Sequence, residues 1–155
     1  RSNKVITTLT TLKQRLFKYQ GHVGAALVLG GFDGSGPQLH SLYPHGSSDS
    51  LPYVAMGSGS LAAISILESE YREDMDEHEA RELVTKAILA GVFNDLGSGS
   101  NVDLCVISDQ GTKIERNIRV YNERSSQSLC SLEGEKPKLN KGNVTTATCT
   151  TLPST

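Results

Sequence analysis

The chain has 155 residues, 37% of them hydrophobic, and a formal net charge of −2, which suits one domain or part of one. This charge gives no broad basic surface for nucleic acid, and no run of about 18 apolar residues indicates a membrane span. Three cysteines without a Cys-x-x-Cys pair favour a reduced cytosolic or nuclear setting over a disulfide framework or a zinc site.

The first predicted element is an amphipathic helix. Val5, Leu9, Leu12 and Leu16 follow one another at steps of three and four residues, which places them on one helical face. Gly21 is a natural end for this helix.

A group of strands is predicted next. Residues 23–32 are short, apolar and rich in glycine, which predicts a buried strand. Turn residues at 33–37 lead into a returning strand over 38–43. After a loop at 44–47, residues 51–56 are predicted to form a third strand.

Two helices follow a glycine-serine turn at residues 57–60. The first carries apolar residues at helical spacing from Leu61 to Tyr71. The second is predicted to begin near Asp74, where Asp74 and Glu77 form a capping-box pair. Its predicted apolar face consists of Ala80, Leu83, Val84, Ala87, Ile88 and Gly91. The small residues on this face permit close packing against a neighbour.

The last predicted elements are strands over 102–107 and 113–120, paired around a turn at Asp109. Beyond them the periodicity fades, so we divide the chain into a folded part, 1–122, and an irregular or disordered tail, 123–155. Blocks of strands beside blocks of helices predict an α+β fold in layers.

The two glycine-serine turns are the most unusual local motifs. The serines at 58 and 98 either build a polar site where a strand meets a helix, or simply lie in tight turns. Asp95 comes three residues before Ser98, at the end of the apolar helical face. Its carboxylate either orients a catalytic group or caps the turn backbone.

Three segments together resemble beta subunits of the proteasome core particle, of the trypsin-like class. They are residues 19–31, residues 43–47 followed by 51–60, and residues 93–107, and their order and spacing agree throughout. The resemblance implies a four-layer alpha-beta-beta-alpha sandwich of the N-terminal-nucleophile hydrolase type, here incomplete. It also implies a threonine endopeptidase that cleaves after basic residues in ubiquitin-dependent protein degradation.

The nucleophile of such an enzyme is the Thr at the start of the mature chain. Arg1 is not that residue, so we expect the N-terminal half to lie outside this stretch and the chain alone to be inactive. Ser58, Asp95 and Ser98 match the family residues that support the nucleophile and its amine. The backbone carbonyls of Val92, Asp95 and Ser98 match a turn that often holds a structural cation; no other cofactor is required.

The resemblance also implies partners. The complete subunit would assemble with other alpha and beta subunits in seven-membered rings, in cytoplasm and nucleus, and act on unfolded polypeptide. Tyr43, His45 and Ser47 lie in a loop that would line a neighbouring subunit's substrate cleft. Neither nucleic acid nor a membrane is an expected partner, and the alternative function is a non-catalytic structural or assembly subunit of the same ring.

Overall fold

The computed structural model describes residues 4–120, so the predicted tail at 123–155 lies outside the described residues. Three helices and five strands form in this part of the chain. In chain order they are α1 (Val5–Lys18), β1 (Leu27–Asp33), β2 (Gly36–Leu42), β3 (Ser48–Ser50), α2 (Ser60–Glu70), α3 (Glu77–Asn94), β4 (Asn101–Ser108) and β5 (Gly111–Val120).

Helix α1 covers one face of an antiparallel sheet with strand order β1-β2-β3. Leu9 and Leu16 of the helix are buried with Leu42 of β2, which is fully enclosed. Gly31 of β1 lies directly under the helix: a Cβ placed there would come within 2.5 Å of the Val5 side chain. Glycine at this position therefore lets α1 settle against the strand.

A buried carboxylate ties α1 to the β1–β2 hairpin. Lys4 provides no side-chain cap for the helix, and Asp33 takes over this role by accepting the Val5 N–H at 2.9 Å. The second oxygen of Asp33 accepts the Ser35 N–H at 2.8 Å and the Gln38 side-chain amide at 3.0 Å. The Ser35 and Val5 N–H groups lower the pKa of Asp33, because both stabilise its ionised form.

A second sheet and a helix pair complete the layers. Strands β4 and β5 form a hairpin, and α3 packs against β4, where Val102 and Leu104 are buried. Helices α2 and α3 share an apolar core of Ala63, Leu67, Leu83 and Ala87.

The two sheets meet at Gly30, on the face of β1 turned away from α1. A Cβ built there would lie 3.7 Å from Ile107 of β4. The order is thus helix, sheet, sheet, helix pair, which confirms the predicted α+β sandwich.

Three local predictions are wrong. The third strand is Ser48–Ser50 and not 51–56, because no strand of the described region pairs with those residues. The capping box uses Asp76 and Glu79 and not Asp74 and Glu77: the Asp76 carboxylate accepts the Glu79 N–H, and the Glu79 carboxylate accepts the Asp76 N–H.

The predicted buried strand at 23–32 is shorter and more exposed than expected. It begins only at Leu27, and its outward residues Val28 and Phe32 are 50% and 40% exposed. The reason is that α1 covers one face of the sheet, whereas the opposite face is covered only in part. Between residues 4 and 120, no helix is long and apolar enough to cross a membrane.

Candidate functional site

The site lies where the start of α2 meets the end of α3. Gly57 has a φ of +109°, a conformation that suits glycine, and its carbonyl accepts the Ser60 N–H as the chain turns into α2. Ser58 therefore projects from a tight turn just ahead of the helix. Asp95 is the C-terminal cap residue of α3, and its N–H is held by the Gly91 carbonyl at 2.9 Å.

The three supporting residues expected from the sequence come together in space. The Ser58 hydroxyl donates to Asp95 Oδ2 at 2.5 Å, and the Ser98 hydroxyl donates to the same oxygen at 2.6 Å. The Gly97 N–H donates to Asp95 Oδ1 at 3.2 Å. We call this arrangement of Ser58, Asp95, Gly97 and Ser98 the Asp95 cluster.

Asp95 is held as a carboxylate in this cluster. The Ser58 hydroxyl first, then the Ser98 hydroxyl and the Gly97 N–H, lower the pKa of Asp95 because each donates a hydrogen bond to the charged form. With their protons committed to Asp95, both serine oxygens keep lone pairs that can accept a hydrogen bond. The cluster is therefore suited to hold an amine or a water molecule beside a negative charge.

An apolar groove of about 800 Å³ runs alongside the Asp95 cluster. Its lining includes Val28 and Leu39 of the first sheet and Val84 and Ile88 of α3. Both α3 residues are more than 40% exposed although they belong to the helix pair. Exposed apolar side chains grouped in this way mark a candidate contact face for another polypeptide.

The sequence matches a known protein family over most of the described residues. Residues 3–107 fit the family model described as "Proteasome subunit". The chain belongs to the proteasome subunit family. Ser58, Asp95 and Ser98 all lie inside the matched stretch.

Curated relatives of the family make the relationship more specific. The chain is 60% identical over 124 residues to "Proteasome subunit beta type-7" of Dictyostelium discoideum, covering 80% of this chain and 47% of that protein. It is 59% identical over 127 residues to "Probable proteasome subunit beta type-2" of Schizosaccharomyces pombe, covering 82% and 48%. For "Proteasome subunit beta type-10" of Mus musculus the identity is 49% over 123 residues, covering 79% and 45%. The chain spans about half the length of the curated relatives it matches.

The loop from Tyr43 to Ser47 lies at the end of α1. The Gly46 N–H donates to the Tyr43 carbonyl at 2.9 Å, and a Cβ at Gly46 would come within 2.8 Å of the Lys13 carbonyl. The His45 ring lies so close to Gly21 that a Cβ there would fall 2.6 Å from it. None of these contacts reaches the Asp95 cluster, so the structure keeps Tyr43, His45 and Ser47 as a separate surface of this proteasome-family chain.

The expected cation site is not tested by these contacts. The Asp95 carbonyl accepts the Ser98 N–H at 3.1 Å, so this turn already satisfies part of its own backbone. The described residues contain no group of three or more His, Cys, Asp or Glu side chains able to hold a metal ion. A cation held by the Val92, Asp95 and Ser98 carbonyls stays a prediction.

Two contributions to the cluster were not predicted from the sequence. The Gly97 N–H was missed because a backbone donor leaves no trace in residue type. The close contact between Gly59 and Gly91 was missed as a pair, although Gly91 was among the small residues expected to permit close helix packing. Neither glycine alone identifies its partner, because they are far apart in the chain.

Proposed function

We propose that this chain forms the supporting half of the active site in a proteasome core beta subunit. The complete subunit is a threonine endopeptidase that cleaves unfolded polypeptide after basic residues. The observation that carries the proposal is the pair of serine hydroxyls held on one carboxylate oxygen, at 2.5 and 2.6 Å. The trypsin-like class is supported by the resemblance of residues 101–107.

The attacking group comes from a part of the complete subunit outside this stretch. An N-terminal threonine attacks the scissile carbonyl through its hydroxyl, and its own amine takes the proton. The Ser58 and Ser98 oxygens accept hydrogen bonds from that amine and so fix its position. As the amine becomes an ammonium, the charge of Asp95, relayed through both hydroxyls, stabilises it.

The apolar groove is covered by the remaining part of the same subunit. Relatives are about twice as long as the stretch they share with this chain, which leaves ample polypeptide for this role. Residues 52–56 border the groove without a strand partner in the described region and would gain one there. Covering the groove would bring the attacking group to the edge where the Asp95 cluster lies.

The assembly follows from the same proposal. The complete subunit joins other alpha and beta subunits in seven-membered rings, in cytoplasm and nucleus. The surface of Tyr43, His45 and Ser47 faces the neighbouring subunit and lines its substrate cleft. The carbonyls of Val92, Asp95 and Ser98 hold a structural cation.

A chimera tests the proposal. The 124 matched residues of this chain replace their counterparts in the Dictyostelium beta type-7 protein, and the chimera is assembled with the other proteasome subunits. We expect cleavage of a fluorogenic peptide that ends in a basic residue. Asp95→Asn should lower kcat by about 10² or more, and Ser58→Ala by a smaller factor. Each substitution removes a group of the Asp95 cluster that supports proton transfer at the amine.

Ser65→Ala is the matched control, since Ser65 is an exposed serine of α2 whose hydroxyl donates to the Ala62 carbonyl of its own helix. It should leave cleavage unchanged. A chimera that assembles normally but contributes no cleavage after basic residues would contradict the enzymatic proposal. That result would favour a structural or assembly subunit of the same ring.

A further inference from the structure

Two glycines bring the backbone at the start of α2 close to the backbone of α3. A Cβ built on Gly59 would lie 3.1 Å from the Gly91 Cα and 3.3 Å from the Ser98 hydroxyl oxygen. A Cβ on Gly91, which is buried, would lie 3.4 Å from the Gly59 carbonyl oxygen. The first distances are tighter than most real Cβ contacts, and the main obstacle is backbone, which cannot rotate aside.

Space, and not backbone conformation, explains the glycine at position 59. Its φ is −88° and its ψ is 6°, values that other residues adopt. Alanine at this position would therefore meet no conformational strain. Only the neighbouring backbone of α3 and the Ser98 side chain stand in its way.

Each glycine is connected directly to a residue of the Asp95 cluster. Gly59 follows Ser58 in the chain and its carbonyl accepts the Ala63 N–H, which fixes the start of α2. The Gly91 carbonyl accepts the Asp95 N–H at 2.9 Å, which fixes the end of α3. A shift at the glycine contact is thus passed to Ser58 on one side and to Asp95 on the other.

We propose that Gly59 and Gly91 are positioning residues whose backbone contact sets the separation of the Ser58 hydroxyl and the Asp95 carboxylate. The contact brings the Ser58 hydroxyl onto the Asp95 oxygen that also accepts the Ser98 hydroxyl of the same turn. A methyl group at Gly59 moves the start of α2 away from α3 and lengthens the Ser58–Asp95 hydrogen bond, whose strength falls steeply with distance and angle. A methyl group at Gly91 would lie 3.4 Å from the Gly59 carbonyl oxygen, at the edge of ordinary contact, and therefore has a smaller effect. The effect of the Gly59–Gly91 contact on catalysis rests on the proposed function, whereas its effect on the geometry of the Asp95 cluster does not.

The geometric test uses the full 155-residue chain. Gly59→Ala and Gly91→Ala are compared with Gly24→Ala, a glycine with nothing within 4 Å of its Cβ position. We expect faster amide exchange and a shifted amide proton signal for Gly97, which donates to Asp95, in both variants. The effect should be larger for Gly59→Ala, whose Cβ has the shorter contact, and absent for Gly24→Ala.

Thermal unfolding separates positioning from simple packing. Alanine favours a helix over glycine, so Gly91→Ala should melt at the parental temperature or above it while its Gly97 signal changes. If Gly59→Ala does not fold, Gly91→Ala decides the question by itself. An unchanged Gly97 signal in folded Gly91→Ala, or the same change in Gly24→Ala, would overturn the proposal.

The catalytic consequence is measured in the assembled chimera. Gly59→Ala should lower kcat between about tenfold and a hundredfold with KM nearly unchanged, because a small misplacement of supporting groups slows chemistry more than binding. A rise in KM with kcat unchanged would overturn the positioning role. An unsubstituted chimera without cleavage would refute the proposed function alone, since the Gly97 signal is read without substrate.

Discussion

Two neighbouring surfaces of the α2–α3 pair, the Asp95 cluster and the apolar groove, differ in how well their side chains are satisfied by contacts within the chain. In the Asp95 cluster, Asp95 accepts hydrogen bonds from the Ser58 and Ser98 hydroxyls and from the Gly97 N–H, all within the described residues. In the apolar groove beside it, Val84 and Ile88 remain 42% and 44% exposed. The difference teaches that a stretch of chain can build a polar site from its own residues while an apolar face beside that site stays open.

The physical reason is the range of the two interactions. A hydrogen bond needs one partner at the right distance, and the turn at Asp95 provides two of its three donors within three residues. Burial needs a whole opposing surface, because its free energy scales with the area removed from water. A stretch of chain can therefore satisfy its polar atoms while leaving a broad apolar face open.

The strongest way to break this comparison is to charge the groove. Val84→Asp should change the stability of the isolated chain little, since Val84 is already half exposed there. In the assembled chimera it should abolish incorporation, because covering the groove would bury an unpaired carboxylate. His78→Asp, an exposed substitution on the same helix outside the groove, should incorporate normally. Incorporation of both variants, read from purified particles, would show that the groove stays open.

A second test compares two adjacent residues of α3, one buried in the helix pair and one exposed in the groove. Leu83 is 6% exposed in the helix-pair core, and its change to Ala should cost about 2–5 kcal/mol of unfolding free energy. Val84→Ala, on the groove side, should cost about 0.5 kcal/mol or less in the isolated chain. Urea denaturation of both variants measures the difference. Equal costs would mean that the groove side is as well packed as the core.

Sequence reasoning found the elements that local patterns determine. The steps of Val5, Leu9 and Leu16 predicted α1, and the spacing from Leu61 to Tyr71 predicted α2. The approach of Ser58 to Asp95 was expected from the family resemblance, because residues 37 apart leave no local signal of contact.

The failures have non-local causes. Residues 51–56 carry a strand-like pattern, but a strand forms only where a partner backbone is present. The exposure of Val28 depends in the same way on what covers the far side of its sheet. The capping box was missed by two residues because Asp74 and Asp76 offer the same side chain, and only the geometry of Asp76 suits the helix start.

The smallest expected effect on stability concerns the ion pairs of Glu115 with Arg81 and Lys113. Like the Asp95 cluster, these ion pairs have all their partners within the described residues. The Arg81 guanidinium of α3, followed by Lys113, lowers the pKa of Glu115 on β5 from 4.5 to about 2. Since the folded-state pKa is the lower one, this contact stabilises the fold above about pH 4.5 and loses its effect as the pH falls towards 2.

Glu115→Gln should therefore flatten the acid side of the stability curve slightly, measured as melting temperature against pH. The effect is modest because these side chains remain partly exposed to solvent. Gln110, an exposed glutamine in the turn before β5, gives a control through Gln110→Ala. An identical acid slope in Glu115→Gln and the parent would contradict the assigned ion pair.

The most direct test of the whole account is an experimental structure of the assembled chimera with a bound peptide aldehyde that ends in a basic residue. We predict that the Ser58 and Ser98 hydroxyls both contact Asp95. Both should also lie within hydrogen-bond reach, directly or through one water, of the amine of the N-terminal threonine that attacks the aldehyde carbon. An inhibitor seated away from the Asp95 cluster, with Ser58 turned from Asp95, would contradict the assignment of this chain as the supporting wall of a peptidase site.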